Sequence, residues 1–399
     1  MSNTTSKVRM PTSVWALGFV SMFMDISSEM IHSLLPMFLV GSLGMSALSV
    51  GTLEGLAEST ALIFKVFSGA LSDYLGKRKG LALFGYALGA FTKPLFAIAS
   101  GAGLIVTARL IDRVGKGIRG APRDALIADT APTAIRGAAF GLRQSLDTVG
   151  AFLGPLIAAG LMLLWANDIR AVFWVAVVPG MISVAVLMLG VKEPPPQADP
   201  NPSNPIKWES LRRLGQGYWE VVAMGAVFTL ARFSEAFLVL RAHQVGIPTA
   251  MVPLVMVAMN AIYAGSAYPF GWLADRVSHA KLLACGMAVL IASDIVLAQA
   301  DHSLMVIAGV ALWGIHMGMT QGLLATMVAD TAHPSLRGTA FGVFNLVSGI
   351  AMLMASAIAG WLWQTMGAPA TFIASAVFAS LTLMGVVTWS ITSPPRRTI

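Results

Sequence analysis

Cysteine is nearly absent: Cys285 is the only one in 399 residues. That excludes an intramolecular disulfide and any cysteine cluster able to hold a metal. Charge is scarce as well, with 11% of residues charged against 56% hydrophobic. A single water-soluble core stops growing at roughly 250–300 residues, so a soluble domain cannot hide that much apolar surface. No HExxH, no cysteine pair and no Walker-type phosphate loop occurs; Gly115-Lys116-Gly117 lacks the upstream glycine and the following Ser or Thr. These absences argue against an enzyme, a metal site, an ATP-driven machine and any bound cofactor. A cleaved leader is not expected either, because the first apolar run carries Asp25 and Glu29 and no small-residue cleavage site.

What the chain has instead is length in apolar runs. Twelve recur, at about 14–35, 48–72, 80–100, 104–128, 138–165, 171–191, 218–240, 251–274, 281–300, 304–328, 339–363 and 368–391. Each can cross a hydrocarbon layer of roughly 30 Å. Lipid offers backbone groups no partner, so an all-α membrane protein of twelve transmembrane helices is expected. The longest polar stretch, Lys192 to Gln216, holds prolines at 194–196, 200, 202 and 205, which rule out a continuous helix. It separates two six-helix bundles, 1–193 and 217–399, with 194–216 as the loop between them.

The net charge of +7 is distributed by topology. Lys7, Arg9, Lys77, Arg78, Lys79, Arg136, Lys192, Lys207, Arg212, Arg213, Arg276, Lys281, Arg337, Arg396 and Arg397 fall in alternate loops, whereas the opposite loops hold little beyond Arg170 and Arg241. This positive-inside pattern predicts a multi-pass protein of the cell membrane with both termini cytoplasmic. The partners expected are the lipid bilayer and a small-molecule substrate, with no nucleic acid, and the protein is expected to be a monomer.

The sequence also repeats itself. Ala128-Asp129-Thr130-Ala131, Arg136-Gly137 and Ala139-Phe140-Gly141 return as Ala329-Asp330-Thr331-Ala332, Arg337-Gly338 and Ala340-Phe341-Gly342, shifted by 201. Gly69-Ala70-Leu71-Ser72-Asp73 returns as Gly271-Trp272-Leu273-Ala274-Asp275, shifted by 202. A duplication of half the chain, in an apolar sequence, is the pattern of two-bundle carriers.

Taken together, these features resemble the major facilitator superfamily, over the whole chain. Its motif between spans two and three, G-x-L-(S/A)-D-x-x-G-(K/R)-(K/R), stands here as Gly69, Leu71, Ser72, Asp73, Gly76, Lys77 and Arg78. The resemblance implies a gating latch on the cytoplasmic side. The second copy keeps Gly271, Leu273, Asp275 and Arg276 but has Ser278 and His279 where the second glycine and the double base would continue. In span five, Gly141, Gly150, Gly154 and Pro155 fit G-x8-G-x3-G-P, similar to the motif of the superfamily's drug and metabolite antiporters. That likeness implies exchange. Gly150 and Gly154 share a helix face and admit a close neighbour; Pro155 bends the span.

Charges inside the spans are costly and mark function by default. Span one carries Asp25 and Glu29, four apart on one face, with Asp25 roughly 17 Å from a start near Val14 at 1.5 Å per residue. Span two carries Glu54 and Glu58. In span four, Arg109, Asp112, Arg113, Lys116, Arg119, Arg123 and Asp124 fall on one arc of roughly 140° at 100° per residue. Span five adds Arg143 and Asp147, and span seven Arg232 and Glu235. Otherwise the second half shows mild polar groups: Asn260, Tyr263, His316, Gln321 and Asn345. The proton-coupling and substrate candidates are therefore Asp25, Glu29, Glu58, Arg109, Arg113, Lys116, Arg143, Asp147, Arg232 and Glu235. Lys93, beside Pro94 in mid-span, has no counterpart in this pattern.

With no ATP site, an ion gradient must supply the energy. Asp25 and Glu29 facing the span-four cations would let a proton and a substrate compete, the minimum that antiport needs. The expectation is a secondary transporter, a proton-coupled antiporter exporting a drug-like or anionic metabolite. Sodium coupling, a transition-metal carrier drawing on the 23 methionines, and a transport-dead membrane sensor are the alternatives.

Overall fold

In the computed structural model, the described residues are 9–75, 77–132, 135–193, 214–274, 276–320, 323–332 and 336–392. They form helices joined by short turns, with no strand among them. The first half holds α1 (Thr12–His32), α2 (Ala47–Leu75), α3 (Arg78–Ile98), α4 (Ala102–Thr130), α5 (Arg136–Leu164) and α6 (Ile169–Gly190). The chain continues beyond α1 as a short turn of helix and a π-helical turn, Phe38–Ser42. The second half holds α7 (Gln216–Leu230), α8 (Ala236–Gln244), α9 (Pro253–Ala274), α10 (His279–Gln299), α11 (Ser303–Thr320), α12 (Leu323–Thr331), α13 (Arg337–Met366) and α14 (Ala368–Thr392).

The described residues of each of the twelve expected runs lie largely on helix. By length and composition, nine helical segments among the described residues can cross a membrane. The other three runs are α2 and α4, which carry charge within the span, and span seven, which is interrupted. The continuous helix expected over 218–240 needs correcting: α7 ends at Leu230 and α8 starts at Ala236. Polar groups sustain the break. The Ser234 amide donates to Ser356 Oγ at 3.2 Å, and Ser234 Oγ accepts from the Ala236 amide at 3.2 Å. Conversely, α4 runs unbroken through Gly115, Gly117, Gly120 and Pro122.

The chain packs as two compact units. One comprises 1–31, 64–157 and 168–203, the other 32–63, 158–167 and 204–399, so α2 and α5 each contribute to both. In the first unit, Val14, Leu17, Val20 and Met24 of α1 meet Ala82, Tyr86 and Ala90 of α3, Leu126 and Ile127 of α4, and Val184 and Leu187 of α6 in one buried cluster. Glycine sets the α3–α4 crossing. A Cβ on Gly85 would stand 2.8 Å from Gly115 O, and one on Gly115 would stand 2.7 Å from Gly85 O. Backbones therefore touch at that point, and any larger residue would force them apart.

The second unit is built around α10, which packs on α11 and α14. Phe233, Phe237, Trp313, Trp363 and Phe372 form a ring cluster with centroids 5.4–6.2 Å apart. Arg241, buried at the end of α8, donates to Leu297 O at 3.0 Å, Ala298 O at 3.2 Å and Ala300 O at 2.7 Å. It thereby satisfies carbonyls that the end of α10 leaves without intrahelical partners, with charge of the sign the helix dipole favours there.

Candidate functional site

The carboxylates of span one lie on a seam with span five. A Cβ on Gly150 would meet Met22 O at 2.6 Å and Asp25 Cβ at 2.9 Å; one on Gly154 would meet Glu29 Cβ at 2.7 Å and Ile26 O at 2.8 Å. Gly18 of α1 receives Leu146 of α5 in the same way, with Leu146 Cδ1 2.5 Å from where a Cβ would be. The contacts advance by four residues on both helices together, so α1 and α5 run parallel in register. The two glycines thus lie against the turn of α1 that carries Asp25 and Glu29. Pro155 is buried inside α5. Gly141, by contrast, is exposed with open space where a Cβ would go, so close packing does not account for it.

Asp25 is half-buried and interacts electrostatically with Asp147 of α5, Arg119 and Lys116 of α4, and Glu29. Arg119 is buried and stacks over Tyr86 at 5.0 Å, while Tyr86 Oη and Ser21 Oγ share a hydrogen bond of 3.1 Å. Arg143 Nη2 pairs with Asp147 Oδ2 at 3.1 Å, and Arg143 Nη1 approaches Asp124 Oδ1 at 3.5 Å. Arg123 joins Asp124 Oδ1 at 3.0 Å and donates to Ser21 Oγ at 3.0 Å. Among the described residues, Arg119 Nη1 and Asp147 Oδ1 are buried polar atoms with no hydrogen-bond partner. Both belong to the groups around Asp25, and orphaned buried atoms of this kind call for an explanation in function.

Next to this lies a pair that the sequence pattern missed. Lys93 Nζ donates to Asp112 Oδ1 at 2.9 Å and to Ser28 Oγ at 3.1 Å, and all but the hydroxyl end of the group is sealed from solvent. The Gly85–Gly115 crossing brings α3 and α4 close enough for the lysine to reach. Arg113 Nε stands 4.0 Å from Asp112 Oδ2, and Arg109 is buried one turn before it. Lys116 is exposed.

The remaining candidates lie elsewhere. Glu58, half-buried on α2, belongs by packing to the second unit, as do Arg232 and Glu235 at the break in span seven. Arg232 lies over the Phe228 ring at 5.6 Å. Glu54, one turn before Glu58, is buried with Oε2 3.9 Å from His32 Nδ1. Among the described residues no three His, Cys, Asp or Glu side chains are grouped as metal ligands.

In the gating motif, Gly69 packs against Ala121 of α4, and the neighbouring Ser68 donates to Gly117 O at 3.0 Å. Asp73 lies on α2 but its side chain, like Gly76 and Asp275, is outside the described residues. Lys77 precedes α3 and is exposed, and Arg276 is exposed just after α9. Arg78 Nε pairs with Asp129 Oδ2 at 3.1 Å. Glu193 accepts from the backbone amides of Arg78 at 2.7 Å and Lys79 at 2.9 Å, a carboxylate on the N-terminus of α3. Asp129 had stood in the sequence only as part of the repeated Ala-Asp-Thr-Ala.

The model of the Major Facilitator Superfamily matches residues 17–350 and 224–398. An uncharacterized MFS-type transporter of Methanocaldococcus jannaschii, MJ1317, is 32% identical over 385 residues, covering 94% of each chain. The inner membrane transport protein YajR of Escherichia coli is 23% identical over 381 residues, covering 92% of this chain and 81% of its own. Among solved structures, a bacterial homolog of the human lysosomal transporter Spinster, inward-facing and unoccupied, superposes with a TM-score of 0.77 at 16% identity, over 95% of this chain and 96% of its own.

Proposed function

Because the chain belongs to the Major Facilitator Superfamily, and is a membrane transporter of that type, we propose that it is a proton-coupled antiporter. The reading has it export a small organic substrate, drug-like or an anionic metabolite, by alternating access between the halves 1–193 and 217–399. Both termini then lie in the cytoplasm, following the basic loops, and a monomer suffices.

The observation that carries the reading is the grouping of Asp25, Asp147 and Arg119, with orphaned polar atoms on the latter two. Asp25 and Asp147 repel each other when both are ionised, and because Arg143 already pairs with Asp147, Asp25 is the carboxylate left to exchange a proton. A cationic group of a zwitterionic substrate would pair with the carboxylate and displace that proton, while the substrate's anionic group takes Arg119. Around this point the interiors of spans one, three, four and five hold seven cations (Lys93, Arg109, Arg113, Lys116, Arg119, Arg123, Arg143) against five carboxylates (Asp25, Glu29, Asp112, Asp124, Asp147). That surplus of positive charge favours an anionic or zwitterionic substrate over a cation. The seam at Gly150 and Gly154 supports a role for Asp25 and Glu29 in exchange, since any sliding of α5 on α1 moves the backbone that holds them.

Proton movement in energised inverted vesicles, screened against drugs and metabolite anions, tests it. Substrate-triggered proton release in the parent protein and none in Asp25→Asn is the expected result. Release that persists unchanged in Asp25→Asn would remove the coupling role from this site.

A further inference from the structure

Asp294, on α10, is fully buried, and its Oδ2 lies 2.6 Å from Ser375 Oγ of α14. The same hydroxyl lies 2.6 Å from the carbonyl oxygen of Ala231. A hydroxyl carries one hydrogen, so Ser375 can donate to only one of these two oxygens. A carbonyl oxygen cannot donate back. Both contacts are hydrogen bonds only when Asp294 holds a proton: the acid O–H donates to Ser375 Oγ, and Ser375 donates to Ala231 O. With Asp294 ionised, one of the two contacts becomes a close approach of unshielded oxygens.

The surroundings agree. The helices that meet α10 among the described residues are α8, α11, α12 and α14, and α8 brings Arg241, whose guanidinium is spent on the Leu297, Ala298 and Ala300 carbonyls. α14 carries no charged residue, and α11 carries only His316, whose Nδ1 is engaged with Gly286 O at 2.8 Å, two turns of α10 away. On α12 the single ionisable residue is Asp330, whose side chain lies outside the described residues. Beyond Ala231, Arg232 is turned over the Phe228 ring. Among the described residues no cation pairs with Asp294. The internal repeat gives the reason. Asp294 stands 201 residues after Lys93, the offset of the duplication, and the residue 201 after Asp112 is Trp313. The first repeat thus pairs a buried cation with a carboxylate, while the second keeps one buried ionisable group without its partner. A buried carboxyl with no counter-charge stays neutral.

We propose that Asp294 is a proton-binding site of the second repeat, occupied in this conformation, whose occupancy is tied through Ser375 to the break in span seven. Loss of the proton turns the Ser375 hydrogen to the carboxylate. Ala231, the residue that caps α7 ahead of Arg232 and Glu235, then loses its donor, and the break is free to rearrange. This site is separate from the carboxylates of Asp25 and Glu29, and its test needs neither substrate nor flux, so it stands or falls independently of the antiport reading.

The experiment is infrared difference spectroscopy of the purified full-length protein in lipid, titrated across neutral pH. Wild type minus Asp294→Asn is expected to show the C=O stretch of a protonated carboxylic acid at neutral pH, a band the variant lacks. In Ser375→Ala, which keeps Asp294 but removes its acceptor, the band is expected to shift; this variant also serves if Asp294→Asn fails to fold. No such band at neutral pH, or a band that Ser375→Ala leaves in place, overturns the proposal.

Discussion

Lys93 and Asp112 share one ion pair, yet Asp112→Asn should destabilise the protein more than Lys93→Met. The asymmetry comes from what each substitution leaves behind. Without Asp112, the Lys93 ammonium stays sealed in the interior with Ser28 Oγ at 3.1 Å. Without Lys93, Asp112 keeps Arg113 Nε at 4.0 Å, and Arg109 and Arg119 remain in electrostatic reach. At an effective dielectric of about 20, unit charges at the Lys93 distance of 2.9 Å attract by ~6 kcal/mol and at 4.0 Å by ~4 kcal/mol. Desolvation offsets much of that, and breaking one side of a buried pair costs about 3–5 kcal/mol in practice. Asp112→Asn is placed at the top of that range, and Lys93→Met about 1–2 kcal/mol below it because Arg113 takes over. The double variant should show a coupling energy of about 2 kcal/mol. Equilibrium unfolding of the purified protein in mixed micelles, run on both single variants and the double, measures these differences. Equal losses, or a larger loss for Lys93→Met, would refute the idea that Arg113 is the reserve partner.

Three further outcomes are expected. Gly154→Ala puts a methyl 2.7 Å from Glu29 Cβ and 2.8 Å from Ile26 O, and should cost about 1–3 kcal/mol by overpacking and slow transport, whereas Gly141→Ala, facing open space, should be silent in the same thermal and flux assays. Arg241→Ala removes the donors from three carbonyls at the end of α10; a loss of about 2–3 kcal/mol is expected, read as a lower midpoint in the unfolding assay. Glu193→Ala strips the acceptor from the first amides of α3, which should cost about 1 kcal/mol and speed hydrogen exchange at Arg78 and Lys79.

Much of the site was legible because its signals are periodic or local. Asp25 and Glu29 are four apart, and Gly150 and Gly154 are four apart; at 3.6 residues per turn each pair must share a face. That the two faces meet each other is not written in either helix. Lys93 shows the limit from the other side. In sequence it is an isolated lysine beside a proline, 19 residues from Asp112 across a helix turn, and only the backbone contact at Gly85 and Gly115 makes it half of an ion pair. The break in span seven was hidden for a similar reason. Residues 231–235 read as a continuation of an apolar run, and the hydroxyls that hold the break open come from Ser356 and Ser375, more than 120 residues away.

The sequence by itself determined the twelve apolar runs, their helical state, the duplication at an offset of 201 and the concentration of buried charge in the first half. These follow from composition and from distances along the chain, because lipid permits few alternatives to a helix and a repeat is a property of the string alone. Tertiary structure decided which charges are neighbours: Lys93 with Asp112, Arg78 with Asp129, Asp294 with Ser375. Electrostatic and hydrogen-bond energies act over a few ångströms between different helices, and that spacing exists only after small residues have set how closely the helices approach.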